Sequence, residues 1–235
     1  MTTSAWCLAI ETSARQGSIA LLREGELIGE SALELGTAHG QSLLPAVSLL
    51  LQQHGLTTRD LGRMAVSVGP GSYTGLRVGV VCAKLLAWSL GIPLVAVDTL
   101  QAIAAAEAES TPRLWVVTDA QRDAVYATCQ TVAVPHCPQC EIPTMVLPVA
   151  ELAPQIGAAD RVTGSGVEKL LQHSPGLASQ VAEPSLGPTA RWVGHLGWRA
   201  SGKGELADVR SLTPVYLRQS SAETQWDRLH PPRPQ

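Results

Sequence analysis

The sequence of 235 residues contains no phenylalanine, few charged residues and no excess of basic residues. Charged residues make up 16% of the chain, and 17 lysines and arginines stand against 20 aspartates and glutamates, so the formal net charge is −3. Proteins that bind RNA unaided through phosphate contacts usually carry a strong basic excess. Any contact with nucleic acid is therefore expected to depend on a partner that supplies the basic surface. Leucine and valine are expected to fill the core in place of phenylalanine.

The sequence also lacks a segment that could cross a membrane or direct secretion. Its most apolar stretch, residues 78–90, is interrupted by Lys84 and is shorter than the roughly 20 residues that a transmembrane helix needs. The first five residues have no basic start of the kind found in signal peptides. The five cysteines, an odd number, are scattered, and reduced thiols are the default for such a chain. A globular, cytoplasmic protein is predicted.

Residues 1–109 are predicted to form a first lobe. Alternating apolar residues and short turns predict a three-stranded meander at its start. Apolar residues at helical spacing predict a helix that ends at Gly55. A strand, a glycine-rich turn, a helix and a second strand then form a βαβ unit. The predicted elements are strands at 6–12, 18–23 and 26–33, a helix at 41–54, a strand at 64–68, a helix at 76–90, a strand at 94–97 and a helix that Asp98 or Thr99 caps and that continues to residue 108.

Residues 110–222 are predicted to form a second, smaller lobe that is rich in loops. A strand, turn and strand over residues 115–130 repeat the arrangement at the start of the chain, which indicates two related lobes. Prolines between residues 135 and 154 predict an irregular region. A strand into Gly164 and two helices, at 167–172 and 189–200, are expected to follow. The tail, residues 223–235, is predicted to be disordered.

One turn in the first lobe resembles a phosphate-binding loop. Glycines allow a tight reversal there, and free amides at the start of a helix favour an anion. No Lys-Ser/Thr pair follows the last glycine, so the turn is not a Walker A loop. Its G-x-G-x-x-x-G spacing is a loosened dinucleotide fingerprint, and Asp98 ends the next strand, where a ribose-binding acid would lie. Two interpretations remain open, an NAD(P)-linked oxidoreductase and a packing turn without a ligand. The turn comprises Gly69, Pro70, Gly71, Ser72, Tyr73, Thr74 and Gly75.

The segment GPGSYTGLRVG at residues 69–79 closely resembles the signature of the TsaB (YeaZ) family. Weaker matches occur in the expected order along the chain, from residue 8 to residue 218. They are the opening strand at 8–13, the helix entry at His39 and 43–45, the stretch DAQRDAVYA at 119–127, the turn at 163–166 and the segment PVYLR at 214–218. Tyr73 departs from the pattern, in which phenylalanine is common, and so does the Cys/Pro-rich stretch at 135–143.

The resemblance implies an α/β fold of the actin/Hsp70/sugar-kinase type, in which two lobes of mixed sheets are flanked by helices. It implies a non-catalytic subunit required for threonylcarbamoylation of the tRNA adenosine 3′ of the anticodon, in ANN-decoding tRNAs. The implied partners are the catalytic paralogue TsaD and the ATPase TsaE, with ATP and metal on those subunits and no cofactor on this chain. tRNA would be contacted only through the complex. Because the paralogues share a fold, a homodimer and a heterodimer can compete for one surface.

Two absences favour a scaffold over a stand-alone actin-like ATPase or kinase. The catalytic paralogue holds its metal with two histidines four residues apart, and Thr99 and Ile103 occupy the matching positions. ATP-using members of the fold carry an Asp-x-Gly turn in the first hairpin, whereas residues 11–13 here read Glu-Thr-Ser. The family was once labelled an M22-like glycoprotease. Ser42 and Ser72 occur with His39, but no Gly-x-Ser-x-Gly elbow exists, so peptidase activity is not expected.

The helix at 76–90 is apolar on nearly all sides, which is more than one buried face requires. It can be enclosed in the core, or part of it can form a helical bundle with a partner, together with the helix at 41–54. The family resemblance favours the partner contact. The predicted interface residues are His39, Leu43, Leu44, Val47, Leu51, Leu76, Arg77, Val80 and Lys84.

The segment His136-Cys137-Pro138-Gln139-Cys140 could provide half of a zinc site or a redox pair. A second half at the usual spacing is missing, since Cys129 and His173 are the nearby candidates. An ordinary loop with reduced thiols is the competing interpretation.

Overall fold

The computed structural model describes residues 4–34, 39–107, 111–182, 187–218 and Trp226, and of His39 only the backbone. The predicted tail at 223–235 therefore lies outside the described residues apart from Trp226. Two β-sheets form the framework, one of five strands and one of four. Among the described helices, none has the length and apolar character needed to cross a membrane. The predicted α/β class, with mixed sheets flanked by helices, is confirmed.

The elements follow the predicted order with small shifts at their ends. Helix α2 begins three residues earlier than predicted because the hydroxyl of Ser72 caps it, accepting a hydrogen bond from the amide of Gly75. The strands are β1 (Trp6–Glu11), β2 (Ser18–Arg23), β3 (Glu26–Ala32), β4 (Leu61–Gly69), β5 (Leu94–Asp98), β6 (Thr111–Asp119), β7 (Ala124–Val132), β8 (Gln139–Pro148) and β9 (Arg161–Thr163). The helices are α1 (His39–Gln53), α2 (Tyr73–Leu90), α3 (Thr99–Ala105), α4 (Val149–Leu152), α5 (Val167–His173) and α6 (Ala190–Gly202).

The first sheet has the strand order β3-β2-β1-β4-β5 and is covered on both faces. β1 pairs antiparallel with β2 and parallel with β4, which pairs parallel with β5. Along β1, Leu8 and Ile10 belong to the core formed with α1 and α2, whereas Cys7 and Ala9 belong to the core formed with α6. This alternation follows from the two-residue period of a strand. Because both faces are buried, β1 is apolar throughout except at Glu11.

The second sheet has the order β8-β7-β6-β9 and corrects the predicted loop-rich region. Residues 139–148 form β8, a ten-residue strand that pairs antiparallel with β7. β8 lies at the edge of the sheet, and an edge strand tolerates prolines because the missing N–H can face away from the neighbouring strand. Pro143 and Pro148 therefore do not break the strand. The prolines weakened the strand pattern in the sequence without preventing the pairing.

Helix α6 packs on the first sheet, although the sequence-based division placed it in the second lobe. Its residues Ala190 and Val193 are buried against Ala9 and Ala65 in one core cluster. The helix approaches the sheet closely at Gly197, where a Cβ atom would overlap that of Ala65. The first lobe is thus completed by residues that follow the whole second sheet in the chain.

The segment after α6 runs as a strap along the first lobe. The amide of Ala207 donates to the carbonyl of Leu94 at 2.8 Å, and the amide of Val215 donates to that of Val68 at 2.7 Å. At its end, the guanidinium of Arg218 donates to a carbonyl of the turn between β6 and β7, 3.2 Å away. The strap, residues 206–218, therefore links the edge of the first sheet to the second lobe.

Replacing Gly197 by valine is expected to lower the free energy of unfolding by about 2 kcal/mol, because the side chain would collide with the sheet. The matched control is Gly202→Val at the end of the same helix, where an added Cβ has no neighbour within 4 Å. The control should change stability by less than about 1 kcal/mol. Urea unfolding followed by tryptophan fluorescence measures both variants. Equal effects would contradict the close packing of α6.

Candidate interaction surface

The glycine-rich turn is pressed against the end of β1. The amide of Ser72 donates to the carbonyl of Ser13 at 2.6 Å, and the hydroxyl of Thr12 donates to the carbonyl of Gly75 at 2.8 Å. A Cβ on Gly71 would lie 2.5 Å from the Ser13 carbonyl oxygen, and one on Gly75 would overlap the Thr12 carbonyl. Glycine is required at both positions because the two backbones touch.

Several amides around the start of α2 are therefore used inside the protein. Ser72 N–H is bonded to Ser13, Gly75 N–H to the Ser72 hydroxyl at 3.2 Å, and Leu76 N–H to the Ser72 carbonyl at 2.9 Å. A phosphate cradle needs such amides to point at the ligand. The geometry supports a packing turn rather than a phosphate-binding loop.

Asp98 also has a structural task. It is the N-cap of α3, and one of its carboxylate oxygens accepts from Leu100 N–H at 2.8 Å and from Gln101 N–H at 3.0 Å. Burial raises the pKa of the Asp98 carboxyl, and these hydrogen bonds partly offset the effect. One oxygen of the Asp98 carboxylate is thus engaged in capping α3, so the residue has a structural explanation that does not require a ribose.

Glu11 is buried in the same junction. Its carboxylate accepts a hydrogen bond from the backbone N–H of Ser13 and leaves no exposed surface. Burial raises the pKa of the Glu11 carboxyl, and the hydrogen bond from the Ser13 backbone N–H opposes that rise without cancelling it. The position where ATP-using relatives of the fold begin their phosphate-binding hairpin is therefore closed by packing.

Five of the predicted interface residues lie in the core of the chain. Each is at most 2% exposed, so none can contribute to a free surface. The two helices lie on one face of the first sheet and direct these side chains toward it. The sequence-based assignment of these residues to a partner contact is corrected on this ground. They are Leu43, Val47, Leu51, Leu76 and Val80.

The opposite face of α2 carries an exposed apolar stripe. Val81, Leu85 and Trp88 are 53%, 59% and 67% exposed, and their spacing of four and three residues aligns them along the helix. On the neighbouring α1, Leu44 is 55% exposed. Of the predicted interface residues it is the apolar one that stays accessible. The spacing 81-85-88 was visible in the sequence, but nothing there distinguished the outer stripe from the inner one.

Arg77 lies at the N-terminal end of this stripe in an aromatic cluster. Tyr73 and Tyr216 stack with ring centroids 4.3 Å apart, and the Arg77 guanidinium lies 4.3 Å from the Tyr73 ring. Its Nε donates to the Tyr216 hydroxyl at 3.1 Å, and Nη2 donates to the Tyr73 hydroxyl at 2.6 Å. The predicted placement of Arg77 beside an exposed surface agrees with its exposure. The cluster also fastens the strap to the glycine-rich turn.

Lys84 was predicted to flank the partner contact and instead supports the strap. Its Nζ donates to the carbonyl of Leu212 at 2.7 Å and to that of Arg210 at 3.2 Å. Its charge is therefore partly used within the chain. His39 begins α1, and its side chain, which was predicted to lie at the partner interface, is outside the described part of the chain.

The remaining candidate residues are dispersed. Thr99 and Ile103 are 2% and 0% exposed on α3, within the chain. His136 lies in the turn before β8, where Nδ1 is 2.8 Å from the carbonyl of Ala105. Cys129 is buried and Cys140 is exposed on β8. Within the described ranges, no three His, Cys, Asp or Glu residues are grouped so that they could hold a metal ion.

Comparison with known proteins gives consistent matches over the chain. A family model described as TsaD, tRNA N6-adenosine threonylcarbamoyltransferase, matches residues 34–138. The tRNA threonylcarbamoyladenosine biosynthesis protein TsaB of Bacillus subtilis is 35% identical over 228 residues, covering 93% of this chain and 96% of that protein. The protein of the same name from Escherichia coli is 29% identical, covering 94% and 97%. The structure of YeaZ from Pseudomonas aeruginosa superposes with a TM-score of 0.75 at 29% identity, covering 91% and 100%.

The pH dependence of stability tests the buried Glu11 carboxyl. Its folded pKa is raised above the ordinary value of 4.5, so below that pH both states hold the proton. As pH rises further, the unfolded chain releases the proton while the folded chain keeps it, and stability falls. Each unit of pKa difference is worth about 1.4 kcal/mol.

Glu11→Gln removes this titration, so its stability relative to the native protein should increase from pH 4 to pH 8. Glu24→Gln, at an exposed turn, serves as the control for the loss of a carboxylate. Urea unfolding at each pH provides the measurement. A constant stability difference between Glu11→Gln and the native protein would contradict the raised pKa of Glu11.

Proposed function

The chain belongs to the TsaB (YeaZ) family and takes part in tRNA threonylcarbamoyladenosine biosynthesis, and we propose that it does so in the cytoplasm as a non-catalytic scaffold subunit. In this proposal the chain binds the catalytic paralogue TsaD, and the ATPase TsaE joins the complex. ATP and metal are held by those partners. The contribution of this chain is a surface that positions or activates the catalytic subunit.

The observation that carries the proposal is the apolar stripe on α2. Three large side chains more than half exposed on one helix face form a surface that water solvates poorly, and such surfaces mark protein contacts. Leu44 extends the apolar area onto α1. α1 and α2 lie side by side, so two further helices from a partner can pack on them as in a four-helix bundle.

The packed junction between β1 and the glycine-rich turn supports the proposal that this chain has no catalytic site of its own. The amide of Ser72, the N-cap of α2, bonds to Ser13, the Gly75 amide bonds to the Ser72 hydroxyl, and Asp98 caps α3. These contacts give the turn and Asp98 structural roles at the positions that suggested a ligand. A stand-alone ATPase and an NAD(P)-linked oxidoreductase are therefore less favoured than a scaffold.

TsaD is the proposed partner at the α2 stripe because a paralogue of the same fold offers an equivalent pair of helices. A second copy of this chain offers the same pair, so homodimer and heterodimer would compete for the stripe. The net charge of −3 supports a route to tRNA that runs through the partner rather than through this chain.

Reconstitution tests the function directly. TsaD and TsaE are mixed with threonine, bicarbonate, ATP, an enzyme that makes the threonylcarbamoyl adenylate, and unmodified tRNA, with and without this chain. Modified adenosine is measured by mass spectrometry. Formation is expected to depend on this chain and to fall to background without it. Equal yields in both mixtures would contradict the proposal, as would ATP turnover or NAD(P)H binding by the isolated chain.

Leu85→Asp is expected to weaken the pairing with TsaD about tenfold or more while leaving the chain folded, because an unpaired carboxylate would be buried at the contact. Val134→Asp is the matched control, since Val134 is equally exposed, at 59%, in the turn between β7 and β8. Sedimentation or calorimetry measures binding, and circular dichroism verifies the fold.

Val80, next to the stripe, is buried, so an aspartate there is expected to affect folding rather than pairing alone. Val80→Asp places a carboxylate in the core, where the side chain is 2% exposed, and should unfold the chain rather than only block pairing. A folded, unpaired Val80→Asp protein, or a Leu85→Asp protein that pairs normally, would place the contact elsewhere.

A further inference from the structure

A pocket lies on the side of the first sheet opposite to α1 and α2. It has a volume of about 180 Å³, is open to solvent on one side, and is lined by α6, by the junction of β5 and α3, and by the start of β8. The side chains that argue for a ligand are Gln101, Cys137, Gln139, Arg199, Lys203 and Glu205. We propose that this pocket binds a small oxyanion of the phosphate type, independently of partner binding at the α2 stripe.

The donors in the pocket are not used within the chain. Arg199 and Lys203 are four residues apart on the last turn of α6, so they lie on one face of the helix. Neither forms a salt bridge or a hydrogen bond with any described residue through its side chain. The same holds for the amide groups of Gln101 and Gln139. Guanidinium, ammonium and amide groups together supply the N–H donors that a tetrahedral oxyanion accepts.

The pocket lies at the C-terminal end of α6, so the role of Arg199 and Lys203 at the helix end has to be considered first. Basic side chains in a last helical turn commonly interact with the free carbonyl groups of the helix end. Here the final carbonyls of α6 are already taken, since Ala200 accepts from the amides of Lys203 and Glu205 at 3.0 Å. Arg199 and Lys203 therefore have no helix-capping task within the described chain, and both line the pocket.

The walls of the pocket are held in place by a contact between the lobes. His136, in the turn before β8, stacks on Trp192 of α6 with ring centroids 4.4 Å apart. Its Nδ1 also lies 2.8 Å from the carbonyl of Ala105 at the end of α3. These contacts fix the backbone that carries Cys137 and Gln139 against α6. The turn that carries Cys137 and Gln139 therefore has a defined position beside α6.

Glu205 limits the negative charge that a ligand in the pocket can carry. It lines the pocket with two cations, so the local formal charge is +1. A phosphate monoanion or dianion is attracted by this balance, whereas a more highly charged polyphosphate would meet the Glu205 carboxylate. The volume of about 180 Å³ is large enough for a phosphate group and a small substituent.

Calorimetric titration of the full chain with inorganic phosphate tests the proposal. One saturable site is expected, and Arg199→Ala and Lys203→Ala should each weaken it about tenfold, because charge-assisted hydrogen bonds are lost. Glu205→Gln should strengthen it about threefold by removing a like charge. Arg59→Ala, an exposed arginine outside the pocket, should leave the affinity unchanged.

Titration with acetate separates a phosphate site from a general carboxylate site and should give weaker binding. A second readout uses Cys137, whose rate of alkylation should fall when phosphate is bound, while that of the exposed Cys140 stays constant. No saturable binding, binding that survives both Arg199→Ala and Lys203→Ala, or equal protection of the two thiols would overturn the proposal. None of these outcomes depends on TsaD, so the result is separate from that of the reconstitution.

Discussion

The backbone contact between the end of β1 and the glycine-rich turn determines the arrangement of the first lobe. Ser13 and Thr12 bond to the turn at distances that exclude side chains on Gly71 and Gly75. This contact fixes where α2 begins and, through the helix, which residues face the sheet. It also encloses Glu11 and uses the amide of Ser72, the N-cap of α2. In the sequence the segment resembles a ligand-binding loop, whereas in the structure it packs against the end of β1.

Because this contact fixes the orientation of α2, the helix has one apolar face that is buried and one that is exposed. Val80 contacts the sheet, and Val81, one residue further, faces outward. The inner face contributes to the stability of the lobe, whereas the outer face remains exposed. The strap strengthens this division because Lys84 and Arg77, which could have covered the helix with charge, are engaged by residues 210–216. The stripe therefore remains apolar.

The sequence was sufficient for most of the elements, with β8 as an exception, and insufficient for their orientation. The meander, the βαβ unit and the cap at Asp98 were predictable because they depend on local periodicity and on single capping residues. β8 was missed because its prolines are acceptable only at a sheet edge, which is a property of the neighbours. On α2, nearly every position is apolar, so the pattern could not say that Leu76 is inside and Leu85 outside. The signature turn identified the family from sequence, but its packing role needed the structure.

The position of α6 in the chain affects how the protein is made. The face of the first sheet formed by Cys7 and Ala9 is covered by a helix that begins at Ala190, and the sheet edge at Leu94 is closed only by Ala207. During synthesis on the ribosome, the first lobe must therefore wait with one side uncovered until almost the whole chain has emerged. Contacts between residues so far apart in sequence form late, since a long loop must be closed first. A truncation after the second sheet would therefore leave this face of the first sheet uncovered.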